Sequence, residues 1–351
     1  MSSLRLRVSI AAVAMLMLMP VGANAAPVGV SASSTSLGKP IPERVFAPYF
    51  EAWTGDTMTT VARASGARYL TMAFLQTATT GSCTITWNGD SSAPMSAGLF
   101  VSDLVSLRKL GGDMIPSFGG YTADDTATEI ADSCTSVSKI AAAYESVVGR
   151  YNVTRLDMDI EDNSLSNTAG IDRRSKAIKM LEDWARSRGR QLQISYTLPT
   201  SPSGLEPDAL AVLQNAIANH ARVDVVNIMT FDYYDGVTTD MAGAAISAAK
   251  ALHGQLASLY PSKSSDQLWA MEGNTIMIGI DDYPGLTEVT KLCDAYRLLH
   301  FARSRGISTL SFWAIQRDNG SCPGTNGSDD CSGIAQKTWA FSRLLEPFTD
   351  N

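Results

Sequence analysis

The sequence predicts an α/β protein in which eight strand–helix units close into one (β/α)8 TIM barrel, forming a single domain. From Arg44 onward, runs typical of strands alternate with runs typical of helices. Strict alternation favours parallel strands joined by right-handed crossovers. Since 45% of the 351 residues are hydrophobic, the chain can bury a sizeable core. An open doubly wound sheet is the alternative.

The predicted elements follow one another in pairs along the chain. Strands are expected at residues 45–53, 68–76, 113–120, 153–161, 191–198, 224–233, 275–281 and 308–315. Helices are expected at residues 60–66, 98–110, 127–148, 172–188, 207–221, 241–259, 288–305 and 331–345. In a barrel of this kind, the functional site lies at the carboxyl ends of the strands.

Residues 1–25 have the features of a signal peptide. Arg5 and Arg7 form a positively charged start, and the apolar run at residues 8–19 is too short to span a bilayer. Residues 23–25 read Ala-Asn-Ala, which fits the small-x-small pattern of a cleavage site. We therefore expect a secreted, extracellular protein; an uncleaved anchor is the alternative.

The rest of the chain divides into a lead-in and one domain. Residues 26–42 contain many Ser, Gly and Pro residues, so we expect a disordered segment there. Residues 43–351 form the predicted barrel domain. The net charge of -7 argues against a nucleic-acid partner. We expect a monomer that has no membrane contact once the signal peptide is removed.

The five cysteines suggest two disulfides, which an exported protein permits. Cys322 and Cys331 flank a loop rich in Gly, Asn and Asp, and a bridge between them would fix that loop. Cys83 and Cys134 are the second expected pair. Cys293 lies in an amphipathic helical stretch and is expected to be a buried free thiol. No pair has the CxxC spacing of a zinc site, and we expect neither a metal nor a cofactor.

The segment that follows Arg155 alternates apolar and acidic residues, which is the period of a strand. Its carboxylates, Asp157, Asp159 and Glu161, therefore share one face and are called the acidic row below. Three neighbouring carboxylates repel one another unless one of them holds a proton at neutral pH. Such a proton can be given to a substrate, so the pattern favours catalysis. A metal site and a solvated edge strand are the alternatives.

Aromatic and polar side chains follow several other predicted strands and would meet the acidic row at one rim. Aromatic rings stack on the apolar faces of sugars, while carboxylates and amides bind hydroxyl groups, so a carbohydrate cleft is expected. The residues at these strand ends include Tyr49, Trp53, Ser117, Gly119, Gly120, Met229, Asp232, Trp313 and Gln316.

With these motifs, the sequence resembles the family 18 glycoside hydrolases, the chitinase family. The acidic row matches the last three acidic positions of that family's Asp-Gly-x-Asp-x-Asp-x-Glu strand. Residues 117–120 resemble its Ser-x-Gly-Gly motif, and residues 229–232 resemble its Met-x-Tyr-Asp motif. Trp313 stands where the family has a tryptophan on the cleft floor. The residues of these strands most resemble those of a bacterial branch of secreted chitinases.

Three positions depart from the family pattern. Thr154 replaces the first Asp of the signature strand, and Arg155 replaces its Gly. Phe231 stands where the family usually has a tyrosine, so one hydroxyl that contacts the reacting acetamido group is missing. The neighbouring hydroxyls that could replace it belong to Tyr196, Tyr233 and Tyr234.

The resemblance implies hydrolysis of β-1,4-linked N-acetylglucosamine with retention, in which the substrate's own acetamido oxygen attacks the anomeric carbon. Glu161 would protonate the leaving oxygen and then activate water. Asp159 would orient the acetamido N–H, and Asp157 would share a proton with Asp159. Asp232 would help to hold the acetamido group. Trp313 would form the floor beneath the sugar.

Further substrate contacts are expected from Tyr49, Trp53, Met229, Tyr196 and Gln316, while Ser117, Gly119 and Gly120 are expected to support the acids. The expected ligand is chitin or a chito-oligosaccharide.

The chain leaves little room for an insertion between Asp281 and the helix expected to begin near Leu286. We therefore expect an open groove and endo-type cleavage. Two alternatives stay open: an endo-β-N-acetylglucosaminidase that cuts N-linked glycans with the same acids, and a chitin-binding lectin of the same fold. Such lectins typically lack the terminal glutamate, which is present here as Glu161.

Overall fold

The structure, a computed structural model, describes residues 38–237, 240–282, 288–326 and 328–350. The predicted signal peptide, residues 1–25, lies outside the described residues. So does the predicted lead-in except for its last residues, 38–42. Within these, Ile41 is buried in a small apolar cluster with Val45 and Ala47. The expected disorder is therefore wrong at Ile41, because an apolar side chain anchors this part of the chain to the domain.

The described residues form twelve strands and twelve α-helices. The strands are β1 Val45–Phe46, β2 Tyr49–Glu51, β3 Tyr69–Thr77, β4 Ile85–Trp87, β5 Asp113–Gly119, β6 Arg155–Asp159, β7 Gln193–Pro199, β8 Val225–Met229, β9 Glu272–Met277, β10 Gly279–Ile280, β11 Val289–Thr290 and β12 Thr309–Trp313. The helices are α1 Met58–Ser65, α2 Val101–Lys109, α3 Tyr121–Asp125, α4 Ile130–Ser133, α5 Val137–Tyr151, α6 Asp162–Ser166, α7 Thr168–Ser187, α8 Pro207–Ala218, α9 Met241–Leu259, α10 Ser265–Trp269, α11 Leu292–Arg305 and α12 Ala340–Leu345.

Apart from the antiparallel strand β4, the main sheet is parallel and closes on itself, which confirms the (β/α)8 barrel. Its strands run in the order β1-β12-β9-β8-β7-β6-β5-β3-β2. Strands β1 and β2 are the two halves of the first predicted strand: β1 pairs with β12, and β2 pairs with β3, so together they join the two ends of the sheet. Pro48 lies between the halves, and its missing N–H accounts for the interruption.

Helices cover the outside of the barrel because each presents one apolar stripe to the sheet. In α9, residues Ala245, Ala248, Ala249, Leu252 and Leu256 are buried, and this spacing places them on one helix face. The corresponding faces of the other helices join them in one large core cluster. None of the described helices has both the length and the apolar character needed to cross a bilayer.

Several predicted boundaries are wrong, and each has a local cause. The third predicted helix, 127–148, is shorter than expected and is preceded by the separate short helices α3 and α4. The seventh begins at Leu292 because Val289–Thr290 instead pairs antiparallel with β10. Of the predicted helix at 331–345, only α12 is α-helical. The unpredicted strand β4 pairs antiparallel with β3.

Both predicted disulfides are present, linking Cys83 to Cys134 and Cys322 to Cys331. The prediction for Cys293 is half right: its thiol is free, but it is exposed rather than buried. The buried face of α11 consists of Ala295, Leu298, Leu299 and Ala302, and Cys293 lies off that stripe.

Candidate active site

The acidic row lies at the carboxyl end of β6, between β5 and β7. Asp157 and Asp159 are buried on the strand itself, and Glu161 follows it in a half-buried position. The alternation that predicted the row also holds for the apolar residues between them, which join the core cluster. The three carboxylates therefore occupy the interior face of the strand, as the sequence predicted.

Asp157 is held by hydroxyl groups from three other strands. It accepts hydrogen bonds from Ser117 Oγ at 2.7 Å, from the Tyr49 hydroxyl at 3.0 Å and from Thr197 Oγ1 at 2.9 Å. Burial raises the pKa of Asp157, and these hydroxyls oppose that rise by stabilising the charged form. Ser117, which was predicted only as a supporting residue, thus contacts the row directly.

Asp159 is the member of the row best suited to hold a proton. Burial raises its pKa well above the usual range, and the charges of Glu161 and Asp157 raise it further. Its Oδ1 atom is buried and has no hydrogen-bond partner among the described residues. A protonated Asp159 relieves the repulsion within the row, since neighbouring carboxylates cannot all be ionised at low cost.

Glu161 has the electrostatics of a group that both gives and takes a proton. Burial raises its pKa to about 7, while the main-chain N–H of Tyr121 donates to the carboxylate and opposes this rise. A carboxyl group with a pKa near the working pH is efficient as a general acid and as a general base.

The acids open into a cleft of about 660 Å³. Of the residues predicted to contact substrate, five line it. These are Tyr49, Trp53, Met229, Asp232 and Trp313, and the lining also includes Asp159, Glu161, Phe74, Tyr121, Phe231, Tyr234 and Asp282. Among the residues that the structure describes, no group of three or more His, Cys, Asp or Glu side chains is arranged to hold a metal ion.

One wall of the cleft is built from stacked aromatic rings. The ring of Phe74 lies parallel to Trp313, with centroids 5.7 Å apart and an interplanar angle of 6°. Tyr49 and Trp53 lie 5.8 Å and 6.2 Å from the same indole. Phe74 was missed by the sequence analysis because it lies inside an ordinary apolar strand, where nothing distinguishes it from a core residue.

Gly119 and Gly120 allow the chain to turn close beside the acids. Both have positive φ, +102° and +83°. A Cβ atom on Gly119 would lie 2.0 Å from the carbonyl oxygen of Asp159, and one on Gly120 would lie 2.6 Å from the Phe74 ring. Only glycine fits both the backbone conformation and the space.

Asp232 lies just beyond β8 with a positive φ of +49°. Burial, followed by the charges of Asp281 and Asp282, raises its pKa to about 8. Its N–H donates to Asp281 Oδ2 at 3.3 Å, which helps to fix this unusual backbone conformation. At neutral pH a protonated Asp232 can therefore act as a donor as well as an acceptor.

Tyr196 does not reach the cleft, so its prediction as a substrate contact is wrong. It is buried in the core cluster, while Thr197 points into the barrel towards Asp157. The alternation of strand residues thus turns Tyr196 towards the helices. Tyr233 is not among the residues that line the cleft either, whereas Tyr234 is.

Gln316 was also predicted to contact sugar, but its amide is already used within the protein. It accepts a hydrogen bond from the main-chain N–H of Glu51 and donates to the carbonyl of Glu51 and to Thr54. The side chain is buried and fixes the end of the first barrel strand instead of the substrate.

The comparisons with known proteins identify the family of the chain. The model of the Glycosyl hydrolases family 18 matches residues 45–292. The chain is 33% identical over 322 residues to a probable bifunctional chitinase/lysozyme of Escherichia coli (strain K12), covering 88% of this chain and 35% of that protein. It is 33% identical over 287 residues to endochitinase 11 of Metarhizium anisopliae, covering 79% of this chain and 53% of that protein. The chain therefore spans about a third of one relative and about half of the other.

The chain is also similar to a solved chitinase structure, and the match covers nearly the whole length of that structure. The protein in that structure is a catalytic site mutant of active domain 2 of the thermostable chitinase from Pyrococcus furiosus, complexed with chito-oligosaccharides. The identity is 31% and the TM-score 0.74, and the match covers 89% of this chain and 96% of that chain. Since the family model matches more than half of the sequence, this chain belongs to the glycosyl hydrolases of family 18.

Proposed function

We propose that the protein is a chitinase that hydrolyses β-1,4 linkages between N-acetylglucosamine units and retains the anomeric configuration. The observation that carries this proposal is the position of Glu161. Its carboxyl group, with a pKa of about 7, faces an aromatic cleft and belongs to the acidic row, in which Asp159 is best suited to hold a proton. Chitin and chito-oligosaccharides are the proposed substrates, and the names of the relatives support them.

The proposed reaction needs no carboxylate nucleophile from the protein. Glu161 gives its proton to the glycosidic oxygen as the bond from C1 to that oxygen breaks. The carbonyl oxygen of the 2-acetamido group forms a bond to C1 from the opposite face, giving an oxazolinium ion. Asp159 accepts the acetamido N–H, and its own proton is shared with Asp157. Glu161 then takes a proton from water, which attacks C1 and restores the original configuration.

We further propose endo-type cleavage in an open groove. The connection between β9 and α11 consists of residues 278–291, and its described part forms the short β10–β11 pair. A connection of this length has too few residues to form a wall that would enclose a sugar chain in the groove. An open groove lets a polymer bind along its length, so internal linkages are accessible.

The decisive experiment is product analysis on chitin tetramer, pentamer and hexamer, with the anomer recorded at early times. We expect internal cuts and β-anomeric products. Release of dimers alone from chain ends would overturn the endo proposal, and α-anomeric products would overturn the mechanism. The E161Q variant should bind the oligomers without turnover. Activity on an N-glycosylated protein but not on chitin oligomers would instead indicate an endo-β-N-acetylglucosaminidase.

We also propose that the protein is exported after cleavage near residue 25 and works as a monomer. The signal-like sequence and the two disulfides support export, because disulfides persist in oxidising compartments. N-terminal sequencing of protein recovered from the culture medium should begin near Ala26. Light scattering should give a mass close to that of one chain. Retention of the intact leader in the cell fraction, or a dimer mass, would overturn these two points.

A further inference from the structure

Asp124 is a fully buried carboxyl group that contacts the catalytic acid and not the cleft. It lies in the short helix α3, four residues after Gly120. Its Oδ2 atom accepts a hydrogen bond of 2.5 Å from the main-chain N–H of Glu161. The reaction outlined above gives Asp124 no role, and sequence patterns did not single it out.

The start of α3 and the end of β6 hold each other by reciprocal hydrogen bonds. The Asp124 carboxyl accepts the N–H of Glu161, and the main-chain N–H of Tyr121 stabilises the charged form of the Glu161 carboxyl. In addition, the N–H of Gly120 donates to the carbonyl of Asp159 at 3.1 Å. The two segments are therefore joined by hydrogen bonds that run in both directions.

The position of Glu161 makes such a bond necessary. Strand β6 ends at Asp159, and the last ladder bond of this segment runs from the N–H of Ile160 to the carbonyl of Thr197 at 3.0 Å. The next N–H, that of Glu161, has no neighbouring strand to accept it. Leaving a buried N–H without an acceptor costs about 1–3 kcal/mol. If the catalytic carboxyl moved by about 1 Å as a result, the reaction could slow about a hundred-fold.

We propose that Asp124 is a positioning residue that fixes the backbone of Glu161, so that the catalytic carboxyl faces the scissile bond. This proposal rests on the proposed hydrolytic function. Asp124 acts through Glu161 and does not touch the substrate.

The charged groups around Asp124 indicate that it acts as a neutral hydrogen-bond acceptor. It faces Glu161 at the end of β6, Glu129 next to α4 and Arg174 on α7. Glu129 and Arg174 form a buried ion pair at 2.8 Å. The charge of Arg174 lowers the pKa of Asp124, but burial and the charge of Glu129 raise it more. Burial, followed by the charge of Glu129, raises the pKa of Asp124 well above its usual range.

Two substitutions separate hydrogen bonding from charge. D124N keeps an acceptor oxygen and is neutral, so kcat on chitin tetramer should stay within about three-fold of wild type. D124A removes the acceptor, and kcat should fall roughly ten- to hundred-fold while KM changes less than about two-fold. D132N is the matched control, because Asp132 is a half-buried acid of the same region that accepts from Ser164 and Asn167 and not from Glu161.

A second measurement does not depend on turnover. The pKa of Glu161 can be read by NMR titration of ¹³C-labelled glutamate carboxyls, with E161Q identifying the signal. In D124A the pKa of Glu161 should rise from about 7 to roughly 8, because the carboxyl group is no longer held where the Tyr121 N–H stabilises its charged form. In D124N and D132N it should stay within a few tenths of wild type.

The outcomes decide separately on the two proposals. If D124A keeps the wild-type kcat and Glu161 pKa, or if D124N loses as much as D124A, the positioning role is wrong. If D124A does not fold, D124L fills the same space without an acceptor and takes its place in both measurements. If the wild-type protein cleaves no chitin oligomer, the proposed function is wrong, and the NMR titration still decides whether Asp124 positions Glu161.

Discussion

The hydroxyl of Tyr49, on the first strand of the barrel, lies 3.0 Å from Oδ2 of Asp157 on the fourth. It also lies 2.9 Å from Thr197 Oγ1 on the fifth strand. Burial and the nearby charge of Asp157 raise the pKa of Tyr49 well above its usual range, so the hydroxyl keeps its proton and acts as a donor. Together with Ser117 and Thr197 it stabilises the charged form of Asp157, which leaves the proton of the row on Asp159.

The Y49F substitution should therefore disturb the acidic row without opening the aromatic wall. Without the hydroxyl, the charged form of Asp157 is less favourable and the shared proton moves towards it. We expect kcat to fall roughly ten-fold, which corresponds to about 1.4 kcal/mol, the size of one hydrogen bond to a charged group. KM should change little because the ring still packs near Trp313. Steady-state kinetics on chitin tetramer at several pH values measures both.

Tyr144 offers a matched control for this test. It is fully buried, and its hydroxyl has no hydrogen-bond partner among the described residues. The Y144F variant should therefore keep wild-type kcat and unfold at an equal or higher temperature, since no hydrogen bond is lost. Equal kinetics for Y49F and wild type would show that the Tyr49 hydroxyl does not influence the row.

The barrel and the acidic row could be predicted because both follow from simple periods in the sequence. The two-residue period that placed Asp157, Asp159 and Glu161 on one face is a property of strands and needs no knowledge of neighbours. Tyr196 shows the limit of this reasoning: it was chosen for its hydroxyl and its nearness to a strand end, but it lies in the opposite phase to Thr197.

Other parts of the site depend on contacts between distant segments, which single-sequence patterns do not contain. Phe74 becomes a cleft residue only because Trp313, far along the chain, stacks on it. Asp124 becomes a neighbour of Glu161 only because α3 turns back over the end of β6. Gln316 has an amide that could bind sugar, but that amide is hydrogen-bonded to the main chain of Glu51.

The G120A substitution should damage the cleft through the aromatic wall. The added Cβ would lie 2.6 Å from the Phe74 ring, at a backbone φ of +83° that residues other than glycine rarely adopt. We expect destabilisation of about 1–3 kcal/mol from the steric overlap alone. The displaced ring should also disturb Trp313 and lower kcat. Thermal unfolding and turnover on chitin tetramer measure the two effects.

Gly254 is the matched control, because it lies within helix α9 and an added Cβ would meet nothing within 4 Å. G254A should stabilise the protein by about 0.5–1 kcal/mol, since alanine is the better helix former, and should leave kcat unchanged. If G120A were as stable and as active as G254A, the close contact with Phe74 would have no functional importance.

The E161Q substitution should make the protein more stable at alkaline pH. The pKa of Glu161 rises from 4.5 to about 7 on folding, so the folded state binds this proton more tightly than the unfolded state. The contribution of Glu161 to stability is therefore highest below pH 4.5 and is lost as the pH rises to about 7. Above that pH the loss amounts to about 3 kcal/mol. Glutamine is neutral at every pH and avoids it.

We expect E161Q to unfold about 5 °C above wild type at pH 8 and at nearly the same temperature at pH 4. The measurement is thermal unfolding followed by circular dichroism across this pH range. D125N controls for the removal of one negative charge, because Asp125 is an exposed acid of α3 whose carbonyl oxygen accepts a hydrogen bond from Asn163. A difference between E161Q and wild type that is the same at both pH values would contradict the raised pKa.

Trp53 should contribute to binding rather than to the chemical step. Its indole is 40% exposed at the edge of the cleft and lies 6.2 Å from Trp313, so it extends the aromatic wall outward. Loss of one sugar contact of this kind should raise KM roughly three- to ten-fold for W53A on chitin hexamer, with kcat nearly unchanged. The effect should shrink on the shortest oligomers that are cleaved, because they can bind without reaching Trp53.

Substitutions of Trp313 and Tyr296 are the references with which W53A is compared. W313A removes the indole that packs on Phe74 and Tyr49 beside the acids, so it should lower kcat as well as raise KM. Tyr296 is a 53% exposed aromatic residue on α11 that packs edge-on against His300 and does not line the cleft. Y296A should therefore match wild type on every oligomer. If W53A lowers kcat on hexamer as strongly as W313A does, Trp53 takes part in the chemical step and its assignment to binding alone is wrong.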